Sequence, residues 1–105
     1  MEITETGTQD NAVRLALSGD LVISELEPVQ ARMINALASY ADITLDLSDV
    51  NACDTAGLQF LYAASRQSQA DGRALHIGAM STAVDDAMQL LNLKRHLPLV
   101  SGGAE

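Results

Sequence analysis

The residue types best suited to chemistry stand together at residues 53–57, in the run CDTAG. Asp54 and Thr55 each carry a side-chain oxygen that can accept a hydrogen bond from the unpaired amides at a helix start, and one such residue is enough for capping. Gly57 has no Cβ, so another backbone, a ligand or a protein surface can come close to it. The residues alone favour a simple cap and a tight corner over a site built around an exposed Thr55 hydroxyl.

A strand followed by a helix would position this run. Upstream, Ile43, Leu45 and Leu47 alternate with polar residues, which predicts a strand with one apolar face. A short polar passage then leads into the run. Downstream, four residues at helical spacing predict a helix with one buried stripe: Leu58, Leu61, Tyr62 and Ser65.

The segments before this unit predict two strands and a helix. Residues 2–9 predict a weak strand and residues 13–18 an alternating one, so the two can form a hairpin. Residues 25–40 predict the first helix, with Ser24 and Glu27 spaced as a capping box and Pro28 in the first turn.

The segments after it predict a strand and a third helix. Gly72 ends the second helix, and residues 74–77 form a short strand. Ser81 caps the third helix, which stops near Asn92. The buried face of that helix has three members: Val84, Met88 and Leu91. Residues 97–100 can add a short edge strand.

The element order is therefore β-β-α-β-α-β-α, with room for a short last strand. Connections from strand to helix to strand favour parallel neighbours, and alternating strands favour helices on one face. We expect an α/β fold, a small mixed sheet with helices mainly on one face. One domain would cover residues 1–100, followed by a flexible tail at residues 101–105.

Composition excludes several classes of function. A net charge of −8 argues against nucleic acid and against direct contact with an anionic membrane, because both need Lys and Arg. The single cysteine, Cys53, can form neither an internal disulfide nor a zinc site, and we expect it to pack. The acidic N-terminus is unlike a signal peptide, which predicts a cytoplasmic protein. We expect neither a cofactor nor a metal.

Two stretches resemble the signature of STAS domains, the family of bacterial anti-sigma-factor antagonists. They are residues 45–48, LDLS, and residues 54–58, DTAGL. Residues 18–21, residues 71–72 and the helix at residues 81–93 stand in the matching order. The resemblance extends over about residues 12–100.

This resemblance implies a phosphorylation switch in bacterial signal transduction and transcription regulation. In the family, a serine/threonine kinase that is also an anti-sigma factor phosphorylates the Ser or Thr after the motif's Asp, and a phosphatase reverses the modification. That residue is Thr55 here. The unphosphorylated domain binds the kinase and displaces the sigma factor, so the domain is not an enzyme. Six residues are expected to contact the partner: Asp20, Asp46, Asp54, Ala56, Gly57 and Leu58.

Other functions stay open at this point. Val22 stands where many family members carry Asp or Thr, and Ala56 replaces a second hydroxyl. Thr-bearing STAS proteins also occur in chemotaxis-type clusters and as the constitutive cytosolic subunit of a phospholipid-transporting ABC complex. Asp20, Asp46 and Asp54 could alternatively form a hard-cation site of the receiver type. A weak homo-oligomer is also left open.

Overall fold

The computed structural model describes residues 2–7 and 11–90 of the chain. The elements confirm the predicted order, with a short 3₁₀ turn added before the first helix: β1 (Glu2–Gly7), β2 (Ala12–Leu21), η1 (Ile23–Glu25), α1 (Leu26–Ser39), β3 (Asp42–Cys53), α2 (Thr55–Ala70), β4 (Ala74–Met80) and α3 (Thr82–Leu90). The predicted last strand, the tail, Leu91 and Asn92 lie outside the described residues.

The four strands form one mixed sheet in the order β1-β2-β3-β4. β1 pairs antiparallel with β2, as the predicted hairpin requires, whereas β2, β3 and β4 are parallel. The carboxyl ends of β2 and β3 meet at one edge of the sheet, because Leu21 pairs with Cys53, whereas β4 ends at Met80, which pairs with Leu47. Asp54 and Thr55 follow directly at this edge.

One face of the sheet forms the hydrophobic core. Alternate residues of β2 and β3 are almost fully buried, among them Leu15 and Leu45 at 1% and 0% exposure. Apolar residues of all three helices join the same cluster: Val29, Met33, Leu58, Leu61, Val84 and Met88. The opposite face is polar, so the helices cover one side of the sheet, as the alternation predicted. None of the helices in residues 2–7 and 11–90 is long and apolar enough to cross a bilayer.

β3 is longer than the alternation predicted, because residues 49–53 continue the strand. Its register slips against β2 and again against β4. Val50 is buried although it follows buried Leu47 by three positions rather than two. A bulge of this kind breaks the period of two without ending the strand, so the sequence pattern stopped too early.

The predicted capping box of α1 is wrong. Ser24 lies inside the 3₁₀ turn Ile23–Glu25, Glu25 is the N-cap of α1, and its side chain makes no capping hydrogen bond. The turn instead forms a backbone bond from Glu25 N–H to Val22 O at 2.8 Å. Pro28 lies in the first turn of α1, as predicted.

The ends of the other two helices follow the prediction. Gly72 adopts a left-handed φ of 72° just beyond α2, where its N–H donates to Gln69 O at 3.1 Å. Ser81 Oγ accepts from Val84 N–H at 3.3 Å and so caps α3.

Candidate functional site

Asp54 is the cap of α2, and it also joins two segments of the chain. Its Oδ1 accepts from Gly57 N–H at 2.8 Å, while its Oδ2 accepts from Ile23 N–H at 3.1 Å. The Asp54 N–H donates to Leu21 O at 3.3 Å. The start of α2 is thereby fixed against the segment that follows β2.

Thr55 is the first residue of α2, and its side chain is exposed. Because Asp54 alone provides the cap, the Thr55 hydroxyl is not needed for it. Within residues 2–7 and 11–90 that hydroxyl makes no hydrogen bond. The site therefore presents an accessible, uncommitted hydroxyl on a fixed backbone.

Gly57 and Leu58 support the site from inside the molecule. Gly57 is buried, and a Cβ added there would collide with the carbonyl oxygen of Leu21. Leu58 is 0% exposed and belongs to the core. We therefore correct the predicted role of both residues, because buried atoms cannot contact a partner. The close approach that Gly57 allows is to the chain's own β2.

The three predicted carboxylates are not brought together. Asp20 is exposed near the end of β2, beside Ala52, and so lies at the same edge as Asp54. Asp46 lies in the middle of β3, and the seven residues from there to Cys53 span roughly 20 Å. Among residues 2–7 and 11–90, no group of three or more His, Cys, Asp or Glu could hold a metal ion.

Asp46 instead belongs to a network on the polar face of the sheet. It accepts hydrogen bonds from Ser48 Oγ at 2.7 Å and Ser48 N–H at 3.0 Å, and it pairs with Arg14 at 2.8 Å. The Ser48 bonds, followed by the Arg14 guanidinium, lower the pKa of Asp46 below its usual value. The network accounts for Asp46 by local structure and places it away from Thr55, so the partner contact predicted for it stays a prediction.

Cys53 ends β3 immediately before the site and is half-buried. Burial, with a smaller contribution from the Asp54 charge, raises the pKa of the Cys53 thiol to about 11. A reactive cysteine requires a lowered pKa. This agrees with the prediction that Cys53 packs.

A groove beside Thr55 was not found from the sequence. Ile23 is 72% exposed, and it lines a groove of about 480 Å³ between α1 and α2. Ala56, the residue after Thr55, lines the same groove. Ile23 precedes the buried Leu26 by three positions, so helical spacing alone would place Ile23 on the buried face of α1. Only the direction of the 3₁₀ turn exposes it.

Comparison with protein families gives one match that covers most of the chain. The sequence model of the family described as "Mlab, STAS domain" matches residues 4–101. No curated protein sequence matches the chain.

Comparison with solved structures gives the same fold. The anti-sigma factor antagonist SpoIIAA in its unphosphorylated form superposes with a TM-score of 0.74 at 16% identity, over 95% of this chain and 89% of that one. An anti-sigma factor antagonist from Mycobacterium paratuberculosis superposes with a TM-score of 0.79 at 20% identity, over 95% of this chain and 86% of that one. The Bacillus cell fate determinant SpoIIAA in the phosphorylated form superposes with a TM-score of 0.70 at 15% identity, over 95% of this chain and 92% of that one.

Proposed function

The chain belongs to the STAS domain family, and on that premise we propose that it is a protein-binding module of the anti-sigma-factor-antagonist type, switched by phosphorylation of Thr55. The observation that carries the proposal is the division of roles at the start of α2. Asp54 caps the helix, which leaves the exposed Thr55 hydroxyl available to a kinase. A solved structure of similar fold is described as a phosphorylated form.

The switch needs no refolding. A phosphate on Thr55 adds about −1.5 to −2 charge, which the first-turn amides of α2 can accommodate. A partner surface that closes over a neutral hydroxyl cannot accommodate it, because a desolvated, unpaired phosphate costs several kcal/mol. That cost corresponds to a loss of affinity of order 10² to 10³. The partner is released while the domain keeps its structure.

The proposed partners are a serine/threonine protein kinase of the anti-sigma type, which binds the unphosphorylated domain, and a phosphatase that restores it. The domain contributes a surface and an acceptor hydroxyl, and it catalyses nothing itself. Asp20, Asp54 and Ala56 remain the predicted contact residues around Thr55, because each lies at the carboxyl edge of the sheet and none is buried.

Phosphate transfer tests this proposal. We expect candidate kinases with ATP to add one phosphate, which mass spectrometry of peptides locates at Thr55. Thr55→Ala should abolish the incorporation. Thr82→Ala is the matched control, because Thr82 is also the exposed first residue of a helix. Incorporation that survives Thr55→Ala, or none with any candidate kinase, would contradict the proposal.

A second candidate is a constitutive docking subunit of a phospholipid-transporting ABC complex. In this role the groove at Ile23 and Ala56 is the docking surface. For this role we expect wild type and Thr55→Glu to bind the transporter ATPase equally. We also expect protein isolated from its host to carry no phosphate at Thr55.

A further inference from the structure

The groove beside Thr55 lies between α1 and α2, where Ile23 and Ala56 line it. Farther along, Ile34 and Gln67 line a second opening between the same two helices. Ala56 and Asp71, the C-cap of α2, are fifteen residues apart, which corresponds to about 22 Å along the helix. Ile34 is 66% exposed, so an apolar residue remains open to solvent at each end.

The charge around the Thr55 half of the groove is of one sign. Glu27 lines the groove, and Asp54 and Asp20 lie at the nearby sheet edge. Neither Lys nor Arg lines this half in the described part of the chain.

The four arginines of residues 2–7 and 11–90 make contacts elsewhere. Arg14 pairs with Asp46 on the polar face of the sheet, and Arg32 reaches Glu5 of β1 at 3.5 Å. Arg66 stacks over Tyr62 of its own helix, 5.7 Å from the ring centre. Arg73 donates to Tyr40 O and lines only the far opening. None of these four arginines therefore pairs with the acids of this surface.

We propose that the groove between α1 and α2 receives a basic amphipathic helix of the partner, an inference that rests on the proposed function. A third helix fits between two packed helices at a separation of about 8–10 Å, and grooves of this kind bind the apolar face of such helices. The apolar residues of that helix cover Ile23 and Ala56 beside Thr55. Its lysines or arginines pair with Glu27, one turn farther along.

This arrangement agrees with a switch at Thr55. Both carboxylate oxygens of Asp54 already accept from backbone N–H groups, so the partner's cations pair with Glu27, the acid that lines the groove. A phosphate on Thr55 then enters the apolar end of the interface without a cation to pair with. Glu27 therefore determines the choice of partner, and Thr55 determines whether the partner stays.

Two synthetic amphipathic peptides test the groove. They share one leucine-rich face and differ only in a lysine or a glutamate polar face, and each is titrated into the full chain while amide NMR shifts are followed. We expect the lysine peptide to shift residues 23–30 and 56–63 and the glutamate peptide to bind at least tenfold more weakly. Glu27→Gln should weaken the lysine peptide two- to fivefold, and Ile23→Ala about tenfold.

The control is Asp86→Asn, which removes an exposed acid from α3 and should leave binding unchanged. The inference would be overturned if Glu27→Gln and Asp86→Asn lose the same affinity for the lysine peptide. It would also be overturned if amide NMR shifts appear outside the groove, or if the lysine peptide does not bind. Groove shifts that depend on protein concentration alone would assign the groove to a second copy and would overturn it too. Phosphate incorporation at Thr55 alongside any of these results would leave the proposed switch standing.

Discussion

Asp54 and Thr55 are neighbours with opposite roles. Both carboxylate oxygens of Asp54 are used, one by Gly57 and one by Ile23, so the residue is committed to structure. Thr55 has the same ability to cap but stands one position too late, inside the helix. A hydroxyl with no structural task can be modified without loss of the fold.

Gly57 provides a test of the packing beneath the site. Gly57→Ala should lower the free energy of unfolding by about 1–3 kcal/mol or more, because the new Cβ meets the Leu21 carbonyl and the backbone must shift. Gly7→Ala is the control, since nothing lies within 4 Å of a Cβ there. Urea denaturation of the two variants measures the difference. Equal stability would contradict the close contact between α2 and β2.

Cys53 provides a test of the electrostatics at the site. With a pKa of about 11, the Cys53 thiol is almost entirely protonated at pH 8. Its alkylation by iodoacetamide should be at least about tenfold slower than that of a free thiol and should accelerate up to about pH 11. Asp54→Asn should lower this pKa, whereas Thr55→Ala should not. A profile with its midpoint near pH 8.5 would contradict the predicted burial.

The link through Asp54 connects two elements, the turn before α1 and the start of α2. A carboxylate that serves two backbone N–H groups fixes the geometry of the β2–α1 segment as well as capping α2. The exposed side chain of Ile23 is held beside Thr55 by this bond. An apolar residue and a hydroxyl from distant parts of the sequence thereby share one surface.

Asp54→Ala should therefore lower the free energy of unfolding by more than the loss of an ordinary N-cap does. We expect a loss of about 1–2 kcal/mol in unfolding free energy, at the upper end for caps, because Ile23 N–H loses its acceptor as well. Hydrogen exchange should accelerate at the amides of both Gly57 and Ile23. Ser81→Ala, which removes a single longer capping bond from α3, is the comparison and should cost less. Faster exchange at Gly57 alone would contradict the link.

The sequence predicted the element order because the period of two in β2 and β3 and the period near four in the helices both arise from burial of one face. It failed where backbone geometry departs from those periods. The bulges of β3 hid the five strand residues 49–53, and the 3₁₀ turn removed the capping box and exposed Ile23. Asp54 and Thr55 were found, but only the coordinates show which of them caps α2.

In the whole molecule, the carboxyl ends of β2 and β3, the start of α2 and the groove lie at one edge of the sheet. The described arginines are paired with groups away from that edge, so the acids there stay uncompensated by them. Glu27 in the groove and Asp20 and Asp54 at the sheet edge contribute to the net charge of −8. The fold thus places the acceptor hydroxyl of Thr55 among acidic side chains.

The affinity of the phosphorylating kinase for Thr55→Ala and Thr55→Glu, measured by calorimetry, tests the central claim most directly. We predict that Thr55→Ala binds at least as tightly as the unphosphorylated wild type, and that Thr55→Glu binds clearly more weakly. The phosphorylated protein should lose affinity by a factor of order 10² to 10³. Circular dichroism should show the same fold for all forms. Equal affinity of the two variants would contradict the account.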